Sequence, residues 1–287
     1  MVEKNLSSFD GTKIYYRVEK NKNPHTLVFL HGVGGNWTVW KKELQYFQKR
    51  GYSTLVFDLR GHGLSDAPDD LSKYRLYSFS RDLHNILNKE KIDPFTLVGH
   101  SLGGGVAINY CMRYKKKLPV SLVLVESSTT FPFKHNRLLN LGTYMTEFLR
   151  FVSSHKLTSR EHFFHLKDID LSFTGMKENL KIISHLLHIT PIRSVVKALD
   201  NLENFVFKNH KRIDLTMKNF PSPILLIAGR LDEVIPPKYV RLVKKLNNNA
   251  KYHLFRNAGH KVIMDQADQV SHVIHNFIKE SLENAKK

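Results

Sequence analysis

A serine with glycines two residues to either side, Gly99-His100-Ser101-Leu102-Gly103, follows the apolar run Phe95-Thr96-Leu97-Val98. That spacing suits a nucleophile. A serine hydroxyl attacks well only when it projects from a tight bend beside a base, and glycines at both shoulders let a strand and a helix crowd the bend. The residues that follow, Gly103-Gly104-Gly105-Val106-Ala107-Ile108-Asn109-Tyr110, have the small-then-apolar pattern of a helix start, so strand, turn and helix surround Ser101. A bare glycine-rich turn would explain the pentapeptide alone, but not the residues that accompany it.

A serine nucleophile needs a base, a carboxylate to orient that base, and donors for the oxyanion. Among 16 histidines, His260 in Asn257-Ala258-Gly259-His260 stands in the loop between the last apolar strand and the final helix, late in the chain where the base for such a turn is expected. Pro223-Ile224-Leu225-Leu226-Ile227-Ala228-Gly229-Arg230-Leu231-Asp232 reads as a buried strand, a glycine turn and a carboxylate, which makes Asp232 the candidate acid. Glu233 beside it reads as a solvated loop charge. Glu126, at the end of Val120-Ser121-Leu122-Val123-Leu124-Val125, is the alternative acid; its other reading is an ion-pair partner behind the site. For the oxyanion, the Leu102 N–H follows the nucleophile at a helix start, where amides point outward and the helix dipole favours negative charge. The second donor is expected from His31-Gly32-Val33-Gly34-Gly35, whose glycines let the Val33 amide face inward. Such donors are worth about 3 kcal/mol each toward a transition state. Asp58-Leu59-Arg60-Gly61-His62-Gly63-Leu64-Ser65 reads as scaffold, with Asp58 and Arg60 bracing neighbouring loops and His62 part of the brace.

The elements that must position these groups can be read from periodicity. Leu6 to Val18 alternates around Asp10-Gly11, a two-residue turn signal, and predicts an N-terminal hairpin. Strands and helices then alternate: His25–Leu30 strand, Trp40–Arg50 helix with Trp40, Leu44 and Phe47 on one face, Ser53–Phe57 strand and Ser78–Asn88 helix. After the Ser101 turn come strands at Val120–Val125, Pro223–Ala228 and Tyr252–Phe255, and a closing helix at Gln269–Ile278. This order predicts a mostly parallel sheet covered by helices on both faces. From Phe131 to Lys218 there is only helical spacing, as in Leu141, Met145, Phe148, Leu149 and Val152. The expected organisation is a core of residues 1–130 and 219–287 with a helical cap inserted over 131–218, covering the site while packing partly on the core.

With 287 residues, 41% hydrophobic and 24% charged, the chain can bury a sizeable core without staples. No apolar stretch nears the roughly 18 residues needed to cross a bilayer, so no stable membrane insertion is expected. The net charge of +18 is scattered in short runs such as Lys41-Lys42 and Lys115-Lys116-Lys117, a solvated basic surface rather than a nucleic-acid site. It would speed the approach of anionic substrates in a salt-sensitive way. The stretch Met1 to Ser8 lacks an apolar secretory core and Cys111 has no partner cysteine, which predicts a reducing, cytoplasmic setting. His162 with His165, and His185 with His188, have i, i+3 spacing but no acidic or cysteine companion in a ligand set, so no metal is expected. The glycine-rich loops lack phosphate-binding and dinucleotide-binding patterns, and no cofactor is expected.

In order and type, the His31-Gly32 loop, Asp58 to Ser65, Gly99 to Gly103, Asp232 and His260 resemble the α/β-hydrolase superfamily, over nearly the whole chain apart from the cap. The resemblance implies an α/β-hydrolase fold: a mostly parallel sheet of about eight strands, the first pairs antiparallel, flanked by helices, with the cap between the sixth and seventh strands. It also implies Ser101 as nucleophile, His260 as base and Asp232 as acid. Haloalkane dehalogenases and epoxide hydrolases of similar layout carry an aspartate where this chain has Ser101, so the resemblance points away from those activities. It points instead to a carboxylesterase or monoacylglycerol-lipase-like hydrolase acting on a small-molecule ester of small or medium acyl length. The same machinery serves C–C bond hydrolases, prolyl aminopeptidases, lactonases and thioesterases, and the fold can also serve as a catalytically silent binding module. Cap residues such as Phe148, Phe163 and Leu186 either line an acyl pocket or form the cap's own core.

Overall fold

Neighbouring residues of the central strands face opposite sides of the sheet, and both sides are apolar, as a parallel strand buried on two faces requires. The structure is a computed structural model and describes residues 1–23, 25–130 and 190–284. Its strands are β1 (Val2–Ser7), β2 (Lys13–Glu19), β3 (Thr26–Leu30), β4 (Ser53–Phe57), β5 (Phe95–His100), β6 (Ser121–Val125), β7 (Ile224–Gly229) and β8 (Lys251–Phe255). They form one eight-stranded sheet in the order β1-β2-β4-β3-β5-β6-β7-β8. The pairs β1–β2 and β2–β4 are antiparallel, and every later pair is parallel. The expected hairpin is therefore present. It is longer than its alternation suggested, because pairing begins at Val2, and its loop is wider, with the Ser8 N–H on Thr12 O at 2.8 Å behind the Asp10-Gly11 tip.

The helices are α1 (Lys41–Gln48), α2 (Leu76–Lys89), α3 (Leu102–Arg113), α4 (Ile192–Lys218), α5 (Pro237–Leu246), α6 (Val262–Asp265) and α7 (Ala267–Asn284). Val28 and Leu30 of β3 pack on the side covered by α2, α3, α4 and α5, whereas Leu27 and Phe29 pack on the side covered by α1 and α7. Trp40, Leu44 and Phe47 share one buried face, as their spacing predicts. No described helix is long and apolar enough to cross a membrane.

The insertion lies between β6 and β7. Its expected cap residues up to 189, including Leu141, Met145, Phe148 and the four histidines at 162, 165, 185 and 188, lie outside the described residues. Its last stretch is α4, which lies against α2, α3 and α5. Ala198, Leu202, Ile213 and Met217 belong to the core cluster, and the Asn247 Nδ2 amide donates to Met217 O at 3.0 Å. One apolar stripe of α4 is thus sealed onto the core, and its amphipathic spacing is the cause.

Arg60, fully buried, braces the hairpin tip to α2. Its Nε and Nη2 donate to the two Asp82 carboxylate oxygens at 2.8 and 2.7 Å, and Nη1 donates to Asp10 Oδ2 at 2.7 Å. Removing one partner of a buried pair strands the other charge. Arg60→Met is therefore expected to cost about 3–5 kcal/mol of unfolding free energy in urea titration, with much of it regained in Arg60→Met/Asp82→Leu. A single-variant loss below about 1 kcal/mol, the range of an exposed pair, would contradict this account.

Candidate active site

The C-terminal ends of four parallel strands meet at one place, the usual position of a site in an open α/β sheet. Ser101 follows β5, the His31-Gly32 loop follows β3, Glu126 follows β6, and the turn to Asp232 follows β7. Ser101 stands at φ 50°, ψ −116°, outside the ordinary regions for a residue with a Cβ. The bend survives because its shoulders are glycine. A Cβ on Gly103 would lie 2.5 Å from Leu30 O, and one on Gly99 would lie 2.6 Å from Gly103 O.

The three residues singled out from the sequence are in hydrogen-bond series. Ser101 Oγ–H donates to His260 Nε2 at 3.0 Å, and His260 Nδ1–H donates to Asp232 Oδ2 at 2.9 Å. A carboxylate only accepts, so the ring proton belongs on Nδ1 and the Nε2 lone pair faces the serine. Asp232 is buried and oriented by its own turn: Oδ1 accepts the Val234 and Ile235 N–H groups, each at 2.8 Å. The His260 side chain is 21% exposed, so water can reach the base.

Glu126, the alternative acid, meets a different imidazole. Its Oε2 lies 3.1 Å from His100 Nε2, while Oε1 is buried without a hydrogen-bond partner. Burial pushes its carboxyl well above the usual range. Burial likewise lowers His100 to about 4, so that ring is neutral near pH 7. The pentapeptide by itself assigns His100 no role. Strand alternation puts it on the face of Val98, toward the His260 loop, but its partners are remote in sequence.

The loop after β3 is held from both ends. The Leu59 N–H donates to His31 Nε2 at 2.9 Å, which leaves Nδ1–H to donate to Gly32 O at 2.7 Å. Asp58 accepts the Trp37 N–H at 2.6 Å and the Leu64 N–H at 2.8 Å, so Asp58 does brace two loops as its position suggested. Burial pushes the Asp58 carboxyl up to about 7 even though both amides favour the anion. Val33 comes directly after Gly32, where a Cβ would stand 3.2 Å from Ser101 Cβ and 2.8 Å from His100 Nδ1. Leu102 opens α3, so its N–H has no acceptor within the helix. Both candidate oxyanion amides thus belong to backbone next to Ser101.

Among the described residues, His100, Glu126 and His260 alone bring three possible metal-binding atoms within 4.8 Å of one another. A cation there would compete with the hydrogen bonds that these groups already make to protein.

Comparison with known proteins agrees with this architecture. An esterase from Exiguobacterium antarcticum superposes with a TM-score of 0.76 at 19% identity, covering 97% of this chain and 100% of its own. In sequence, epoxide hydrolase 3 of Xenopus tropicalis is 24% identical over 94% of this chain and 76% of its own. The proline iminopeptidase of Saccharolobus solfataricus is 25% identical over 96% of this chain and 92% of its own. Relatives at this distance share the fold while carrying different hydrolase names. Residues 25–267 match the family model described as alpha/beta hydrolase fold, and by that match, together with its sheet order, the chain belongs to the alpha/beta hydrolase fold family.

Proposed function

We propose that the chain is a serine hydrolase that cleaves carboxylic esters of small or medium acyl length through an acyl-enzyme. The observation that carries this reading is the series Ser101 Oγ–H to His260 Nε2 to Asp232, with the serine on a strained turn at the mouth of a helix. His260 takes the hydroxyl proton as Ser101 Oγ bonds to the ester carbonyl carbon. The carbonyl electron pair moves onto oxygen, where the Val33 and Leu102 amides receive the charge. Collapse expels the alcohol, which takes its proton from His260. Water, deprotonated by the same imidazole, then adds to the acyl carbonyl and releases the acid.

The nature of the nucleophile separates this reading from epoxide hydrolysis. A carboxylate that opens an epoxide leaves an ester, whose carbonyl water can attack; a serine would leave an ether, which has no carbonyl and would stop the cycle. Ser101 therefore favours acyl substrates.

The test is a p-nitrophenyl ester series, run beside lactones, thioesters, prolyl amides and C–C cleavage substrates, with a fluorophosphonate probe read by intact mass. Esters are expected to be cleaved fastest, with one adduct per chain, on Ser101. Labelling without ester turnover would move the assignment to another acyl substrate in the panel. An unlabelled, inactive chain would leave the binding-module reading standing.

A further inference from the structure

We propose that His100 and Glu126 form a positioning device for His260, in which His100 holds the base loop by its backbone and Glu126 holds the His100 ring. This inference rests on the catalytic reading of His260 and goes beyond it. His100 Nε2 lies 3.0 Å from the His260 carbonyl oxygen. A carbonyl only accepts, so the His100 ring carries its proton on Nε2 and donates it to the backbone of the very residue whose side chain faces Ser101. The same N–H is shared with Glu126 Oε2 at 3.1 Å, which fixes the ring plane. Two residues before His260, Ala258 O accepts the Leu231 N–H of the Asp232 turn at 2.8 Å. The loop is thus held from the ends of β5 and β7, with Glu126 at the end of β6 holding the His100 ring, and the β5 hold sits on His260 itself.

Two further observations give Glu126 more than a filling role. It stands at φ 47°, in the left-handed region that favours glycine, yet it carries a long carboxyl side chain into a site where Oε1 finds no partner. Strained, incompletely satisfied groups collect where function retains them. The groups facing the Glu126 carboxyl are His100, His260, Asp232 and Asp265. Of these, His100 is the one within hydrogen-bond distance of the carboxyl, at 3.1 Å.

The experiment compares Glu126→Ala, Glu126→Gln and Glu126→Gly with the parent chain, using p-nitrophenyl ester kinetics normalised to fluorophosphonate-titrated sites. Glu126→Ala is expected to lower kcat about tenfold with KM within about twofold, since a slight misplacement of a base is costly. Glu126→Gln, which keeps an acceptor for His100, should recover most of that loss with the acid limb of the kcat/KM profile unmoved. Glu126→Gly relaxes the backbone and should melt no lower than the parent while sharing the kcat defect, a split that a purely structural role would not produce. Glu126→Ala at parental kcat would overturn the device. Glu126→Gln as slow as Glu126→Ala, with the acid limb displaced downward, would also overturn it and make Glu126 a charged partner of the base. Failure of the parent chain to label at Ser101 would instead sink the underlying serine-hydrolase reading.

Discussion

Ser101→Ala is expected to lower p-nitrophenyl ester turnover by about 10^4- to 10^6-fold, with a melting temperature close to that of the parent chain. The size of the loss follows from what remains. Without Oγ no acyl-enzyme can form, and His260, still oriented by Asp232, can act only on water. The amides next to the alanine would still receive an oxyanion, which is why some acceleration over water persists. Stability should be retained because alanine keeps the Cβ at the bend, whose shape is dictated by Gly99, Gly103 and the start of α3 rather than by the hydroxyl. Turnover above about a tenth of the parental rate, or fluorophosphonate adducts that survive the substitution, would remove Ser101 from the chemistry.

Asp232→Asn is expected to cost about 10^4-fold in kcat, although it changes a single atom. The turn around the residue explains why so small a change matters. Oδ1 accepts two backbone N–H groups, from Val234 and Ile235, so an asparagine must keep its carbonyl oxygen there and turn its NH2 toward His260. An NH2 facing Nδ1 demands a bare nitrogen, and the ring proton then moves to Nε2, the atom that must accept the serine proton. The base is present in the wrong tautomer. Rate measurements on Asp232→Asn and Glu126→Gln side by side check the assignment of the acid. Collapse of the second with survival of the first would transfer the role to Glu126.

Much of the fold was legible because a sheet buried on both faces writes itself as short apolar runs. β4 was read at its observed bounds, and β3, β5, β6 and β7 within a residue or two of theirs. The closing helix was read short, as Gln269–Ile278 against Ala267–Asn284, because the spacing rule follows only the buried stripe and the last turns are partly exposed. The hairpin loop was read too tight for a related reason. Asp10-Gly11 marks the tip, but loop width was set by the Ser8–Thr12 bond and by Arg60 reaching Asp10 from beyond β4.

For the site, the order of residues and the chemistry of their side chains were enough to single out Ser101, Asp232 and His260, because a glycine-flanked serine, a carboxylate after a buried strand and a late loop histidine are local patterns. Which carboxylate meets the imidazole was not local. Asp232 and Glu126 both stand at strand ends, and only the packed loops show that one accepts from His260 while the other accepts from His100. The same holds for His100 itself, whose hydrogen bond to the His260 carbonyl joins residues 160 apart in the chain. Side-chain type and spacing determine which groups are available; contacts between distant loops are decided by how helices and strands close around a common core, and no short stretch of sequence carries that information.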